Sequence, residues 1–101
     1  MQIQFPDTDP QVIVEKLENA MTGRQLSKMV SFNMAGGEMV VTISKLGTSS
    51  LYFTCDKSAT GCHFALIKEK IALAHRPLKS EVTEKIVKVI EKAGGLVSGG
   101  N

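Results

Sequence analysis

The chain has 101 residues, enough for one hydrophobic core and too few for two. Its 43 % apolar and 22 % charged content excludes the disordered and collagen-like classes. A net charge of +2 is too small to argue by itself for a nucleic-acid or membrane partner, and no apolar run is long enough to cross a bilayer.

The opening Met1-Gln2-Ile3-Gln4-Phe5-Pro6 lacks the charged start and apolar stretch of an export signal. With only two cysteines as well, the expected setting is a reducing, cytoplasmic one. Ile3 and Phe5 alternate with glutamines, which permits a short edge strand. Asp9-Pro10 then starts a helix: the Asp carboxylate accepts from free backbone N–H groups and Pro suits the first helical position. Ile13, Leu17, Ala20 and Met21 recur at helical spacing until Gly23, predicting a helix over 10–22.

From Leu26 the period changes to two. Leu26, Val30, Phe32 and Met34 share one face, with Ser27, Ser31 and Asn33 on the other. Gly36-Gly37 turns the chain into a second strand through Met39, Val41 and Ile43. Gly47-Thr48-Ser49 turns it again into a third strand through Leu51, Phe53 and Cys55. After the turn 56–60, Cys62, Phe64 and Leu66 continue the alternation. Beyond Lys68 the apolar parity moves to Ile71 and Leu73, so 62–74 reads as a fourth strand carrying a bulge, in preference to a helix. Pro77 breaks this element, and Leu78, Val82, Ile86, Val89 and Ile90 form the stripe of a last helix. Glu81–Lys85 and Glu84–Lys88 are i,i+4 pairs on its outer side.

The expected fold is therefore α+β: a two-layer sandwich with an antiparallel sheet of three to four strands and room for a short N-terminal fifth. Both helices lie on one face, in the order (β)αββββα. Residues 1–95 form a single domain and 96–101 a flexible tail.

Little in the chain points to catalysis. The P-loop, the dinucleotide fingerprint, HExxH and GxSxG are all absent. Asp7, Asp9 and Glu38 sit at a helix start and in turns, and Glu81, Glu84 and Glu91 on a solvated helix face, so no carboxylate has the apolar surroundings that acid–base work requires. Cys55 and Cys62 bracket a turn and both point toward the core, close enough for a disulfide or a shared metal. With His63 and His75 they give a Cys–Cys–His–His set, but its spacing matches no structural zinc pattern, and adjacent Cys62 and His63 face opposite ways on a strand. Two buried thiols acting as small hydrophobes is the simpler reading, and no cofactor is implied. His75, beside Arg76 and Pro77, reads as a strand-to-helix connector.

Two binding readings remain. Residues 55–101 carry eight basic and five acidic side chains, against four and five in 1–54. A nucleic-acid surface would draw on Lys68, Lys70, Arg76, Lys79, Lys85 and Lys88, although glutamates stand near several of them. On the polar sheet face Tyr52 is the single aromatic available for stacking on bases. The other reading starts from apolar residues on strand faces expected to lie opposite the helices: Met29, Val40, Leu46, Ala65 and Ile67. A sheet covered on one side usually has a polar second face, so this excess points to a protein partner or a second copy of the chain.

The segment Gly37-Glu38-Met39-Val40-Val41-Thr42-Ile43-Ser44-Lys45-Leu46-Gly47-Thr48-Ser49-Ser50-Leu51 resembles the hairpin of the small bacterial polyhydroxyalkanoic-acid-system (granule-region) proteins. Ile71-Ala72-Leu73-Ala74-His75-Arg76-Pro77-Leu78-Lys79 is similar to their closing strand leading into a terminal amphipathic helix. The likeness spans about the last two-thirds of the chain and rests on element order and the Pro-Leu-Lys junction; Cys55, Cys62 and the glycine-rich ending are not part of that pattern. It implies a small non-enzymatic protein near polyester granules and supplies no catalytic residues. The expectation from sequence is thus a non-enzymatic, self-associating or protein-binding module. Nucleic-acid binding is the first alternative and a Cys/His metal or redox site the second.

Overall fold

Asp9 caps the first helix as its side chain promises, accepting from the Gln11 N–H at 2.9 Å. The computed structural model describes residues 1–99. In chain order it contains β1 (Gln2–Phe5), α1 (Pro10–Met21), a 3-10 turn (Gln25–Lys28), β2 (Val30–Ala35), β3 (Glu38–Ser44) and β4 (Thr48–Ser58). These are followed by β5 (Gly61–Lys70), a second 3-10 turn (Leu73–Leu78), α2 (Lys79–Lys92) and β6 (Leu96–Ser98).

The sheet has six strands in the order β2-β3-β4-β5-β1-β6, every neighbouring pair antiparallel. This corrects the expected sheet of three to four strands, and the order (β)αββββα holds only in part. β1 is not an edge strand: it lies between β5, in the register Ile3↔Phe64, and β6, in the register Ile3↔Val97. The tail expected from residue 96 contributes β6 over Leu96–Ser98, with Val97 partly buried against the core; its last two residues lie outside the described ones. Three residues followed by glycine carry too short a pattern to read as a strand without sight of β1.

Two boundaries also shift. Leu26 belongs to the first 3-10 turn and not to a strand, and β2 starts at Val30. The fourth strand ends at Lys70, and its bulge falls opposite Tyr52/Phe53, where Tyr52 pairs with Lys68 and Phe53 with Leu66. The intervening Ile67 is the extra residue. Residues 73–78 then leave the sheet as the second 3-10 turn.

Both helices cover the same face. Ile13, Leu17 and Met21 from α1 and Ile86, Val89 and Ile90 from α2 pack on Ile3, Phe5, Val41, Phe53 and Phe64, all at 1 % exposure or less. Phe5 and Phe64 meet edge to face, with ring centroids 6.3 Å apart. At the β2 edge the Phe32 N–H donates to Glu18 of α1 at 3.3 Å, which occupies one of the groups an edge strand leaves open. Neither helix is long and apolar enough to cross a membrane.

Candidate functional site

Strand alternation puts Glu38, Val40, Thr42, Ser50, Tyr52, Thr54 and Asp56 of β3 and β4 on the side of the sheet away from the helices. His63, Ala65, Lys68 and Lys70 of β5 join them. Among the described residues nothing covers this face. Lys68 and Lys70 hold their ammonium groups 5.4 and 6.0 Å from the Tyr52 ring centroid, a cation–π arrangement on the two central strands. The charges are segregated along the strand axis. Glu38 and Asp56, near Thr54 and His63, stand at one end, and Lys68 and Lys70, beside Tyr52 and Ser50, at the other.

Of the five residues expected on this face, Val40 and Ala65 lie on it half-buried, and Ile67 projects from the bulge at 54 % exposure. Met29 and Leu46 do not. Met29 caps the first 3-10 turn with non-extended backbone (φ −128°, ψ −11°) and packs against the helix-side core, so strand parity does not apply to it. Leu46 stands in the tight β3–β4 turn with φ 57° and has left the strand altogether.

A buried polar chain holds that turn. His75 Nε2 contacts the carbonyl of Lys45, which can only accept, so in the neutral ring the proton sits on Nε2. Nδ1 then accepts from the Ser49 hydroxyl at 2.5 Å, and Ser49 Oγ accepts from the Ala72 N–H at 2.8 Å. Ser49 and His75 are 0 % and 8 % exposed, and between them they tie the β3–β4 turn to the segment leading into α2. His75 is thus the connector its neighbours suggested. Ser49 was not legible as its partner, because the two are 26 residues apart and no local pattern links them. The recess beside them holds about 20 Å³, room for one water and too small for a substrate.

The two cysteines are free thiols on the core face of the β4–β5 hairpin. Cys55 stands opposite Phe64 and Cys62 opposite Lys57, so they are diagonal and not directly paired. Burial pushes both thiols above their ordinary range, and the neighbouring Cys62 pushes Cys55 further. That direction leaves little thiolate, the opposite of what a nucleophilic or redox cysteine needs. His63 lies on the uncovered face, its Nδ1 3.2 Å from Gln4 Oε1, while His75 is held at the β3–β4 turn; the four Cys/His candidates do not converge. Among the described residues no group of three or more metal-ligating side chains comes together.

The six cations of the nucleic-acid reading are divided between the two layers. Lys68 and Lys70 are on the bare sheet face, Arg76 is in the second 3-10 turn, and Lys79, Lys85 and Lys88 are on α2. Lys79 pairs with Glu69 at 3.2 Å and Lys85 with Glu81 at 3.5 Å; the expected Glu84–Lys88 pair is not among the ion pairs of the described residues. Comparison of the chain with protein-family models, with curated proteins and with solved structures gives no match.

Proposed function

We propose that the chain is a small, non-enzymatic binding module that pairs with a second copy of itself through the uncovered face of its sheet. The observation that carries this reading is the segregation of charge on that face. An isologous two-fold places the Glu38/Asp56 end of one copy against the Lys68/Lys70 end of the other, so the surface is complementary to itself. On the same rungs as these charges, Val40 and Tyr52 beside Lys68 and Ala65 beside Thr54 supply apolar area to the contact, together with Ile67. The molecule measures 40 × 29 × 24 Å, and its broad side has room for the roughly 800 Å² per partner of a standard interface. The resemblance of residues 37–51 and 71–79 to the granule-region proteins points toward a non-enzymatic role as well.

The test is a charge swap read by sedimentation equilibrium. The wild-type chain is expected to run as a dimer, and Lys68→Glu/Lys70→Glu and Glu38→Lys/Asp56→Lys each as monomers. An equimolar mixture of the two variants should recover the dimer mass, because one face is then wholly acidic and the other wholly basic. A monomeric wild-type chain at sub-millimolar concentration, or no recovery on mixing, sinks the reading.

A further inference from the structure

Leu46 is not explained by the fold. It has φ 57°, a region that disfavours every side chain except those of Asn and Asp, and it is 86 % exposed. Glycine or asparagine would suit the turn better and solvent would favour either. Leu73 and Leu78, 76 % and 45 % exposed, stand on the segment tied to the same turn by the Ser49–His75 chain. Three of the six large exposed hydrophobics of the described residues are thus gathered at one end of the molecule.

Leu46 and Leu78 line a cleft on the helix side. Recesses of about 110, 330 and 240 Å³ adjoin there, and Met29 lines all three. Its apolar lining is Met29, Ile43, Leu46, Ala74, Leu78 and Val82. Its walls are basic on separate elements: Arg24 and Lys28 at the first 3-10 turn, Lys45 at the β3–β4 turn, and Lys85 and Lys88 on α2. The single acid lining it, Glu81, is already 3.5 Å from Lys85.

From this arrangement we infer that the cleft docks an acidic, amphipathic helical segment of a partner protein. An apolar lining flanked by basic side chains on three elements matches a helix with leucine-type residues on one side and carboxylates along its flanks. Three adjoining recesses suit side chains of a partner segment better than a bilayer surface. The methionine common to them adapts to different side chains, and the turn is fixed in advance by its buried hydrogen bonds, which lowers the ordering cost of binding.

The experiment uses a fluorescein-labelled synthetic helix with Leu at i, i+3, i+4 and i+7 and Glu elsewhere, followed by anisotropy. A control helix carries Lys in place of Glu, and phosphatidylcholine vesicles with and without phosphatidylglycerol are run alongside. The acidic helix should bind the wild-type chain and the basic one should not. Leu46→Asn should weaken binding about tenfold, in the range of an interface anchor, with a melting midpoint no lower than wild type. Lys45→Glu/Lys88→Glu should abolish binding while leaving the dimer mass unchanged, which separates this site from the sheet face. Unchanged affinity in Leu46→Asn, no binding of the acidic helix, or binding to anionic vesicles alone would overturn the inference.

Discussion

Ser49 and His75 make a buried polar chain in which each donor has an acceptor, and such chains are costly to break in the middle. Removing the Ser49 hydroxyl leaves the Ala72 N–H and His75 Nδ1 without their protein partner in a largely buried site. Ser49→Ala should therefore lower stability by about 1–3 kcal/mol, measured by urea unfolding. Combined with His75→Ala, the double variant should cost less than the sum of the singles, by about 0.5–3 kcal/mol, because the first substitution already breaks the chain. The two thiols make a prediction of the opposite kind. Their folded values are raised, so folding favours the protonated form, and this contribution is complete below the ordinary thiol value, about 8.5. As pH climbs from there through the raised folded values the contribution is lost. The urea midpoint should thus fall more steeply between neutral and alkaline pH in the wild type than in Cys55→Ala/Cys62→Ala, whose remaining slope comes from the other titrating groups. Equal slopes would show that thiol burial contributes nothing to alkaline sensitivity.

Where a residue can be read from sequence depends on how local its constraint is. α1, α2 and the β2–β3–β4 meander were legible because a cap, a turn or a period lies within each segment. Asp9 and Pro10, Gly36-Gly37 and the Val82–Ile90 stripe are examples. β1 and β6 were not, since four and three residues hold no usable period and their partners lie far along the chain, Gln2 opposite both Ala65 and Ser98. The bulge was expected but misplaced: parity locates it only by its later consequence at Ile71, whereas the ladder shifts at Tyr52/Phe53. On the uncovered sheet face, Val40 and Ala65 lie where simple alternation places them. Met29 and Leu46 failed because alternation stops at a 3-10 turn and at a positive φ. The pairing of β1 alongside β5, with Phe5 opposite Cys62, also leaves a sharp mark at Gly61. A Cβ there would come 2.0 Å from the Phe5 carbonyl oxygen, and its φ of 144° disfavours any side chain. Because the obstructing atom is backbone, Gly61→Ala should cost about 3 kcal/mol or more in unfolding free energy, the range of a clash that packing cannot relieve. Gly36→Ala, with φ 59° but no atom within 4 Å, should cost only about 1–2 kcal/mol, the conformational part alone.

At the scale of the whole molecule the two proposed contacts lie on different layers, the pairing surface on the bare sheet face and the cleft beside α2 and the turns. A dimer formed through the sheets therefore leaves both clefts open and directed away from the interface. Two consequences follow for salt and for valency. Added salt screens exposed charges, with a Debye length of about 3 Å at 1 M, so it should weaken both contacts. The sheet contact keeps the apolar area of Val40, Tyr52, Ala65 and Ile67, so the dimer should loosen without vanishing. Docking depends on five exposed cations and should fall further over the same range. Valency separates the contacts more cleanly. A single acidic helix should bind the wild-type chain and the monomeric Lys68→Glu/Lys70→Glu variant with equal affinity, since neither lysine lines the cleft. Two such helices joined by a linker long enough to span the dimer should bind the wild type more tightly by about 10²-fold or more, through effective concentration alone. On the monomeric variant the linked pair should gain no more than the statistical factor of its two ends. Titration of both probes against both proteins by anisotropy measures this. An equal gain on the monomer would mean that the two clefts do not belong to one assembly.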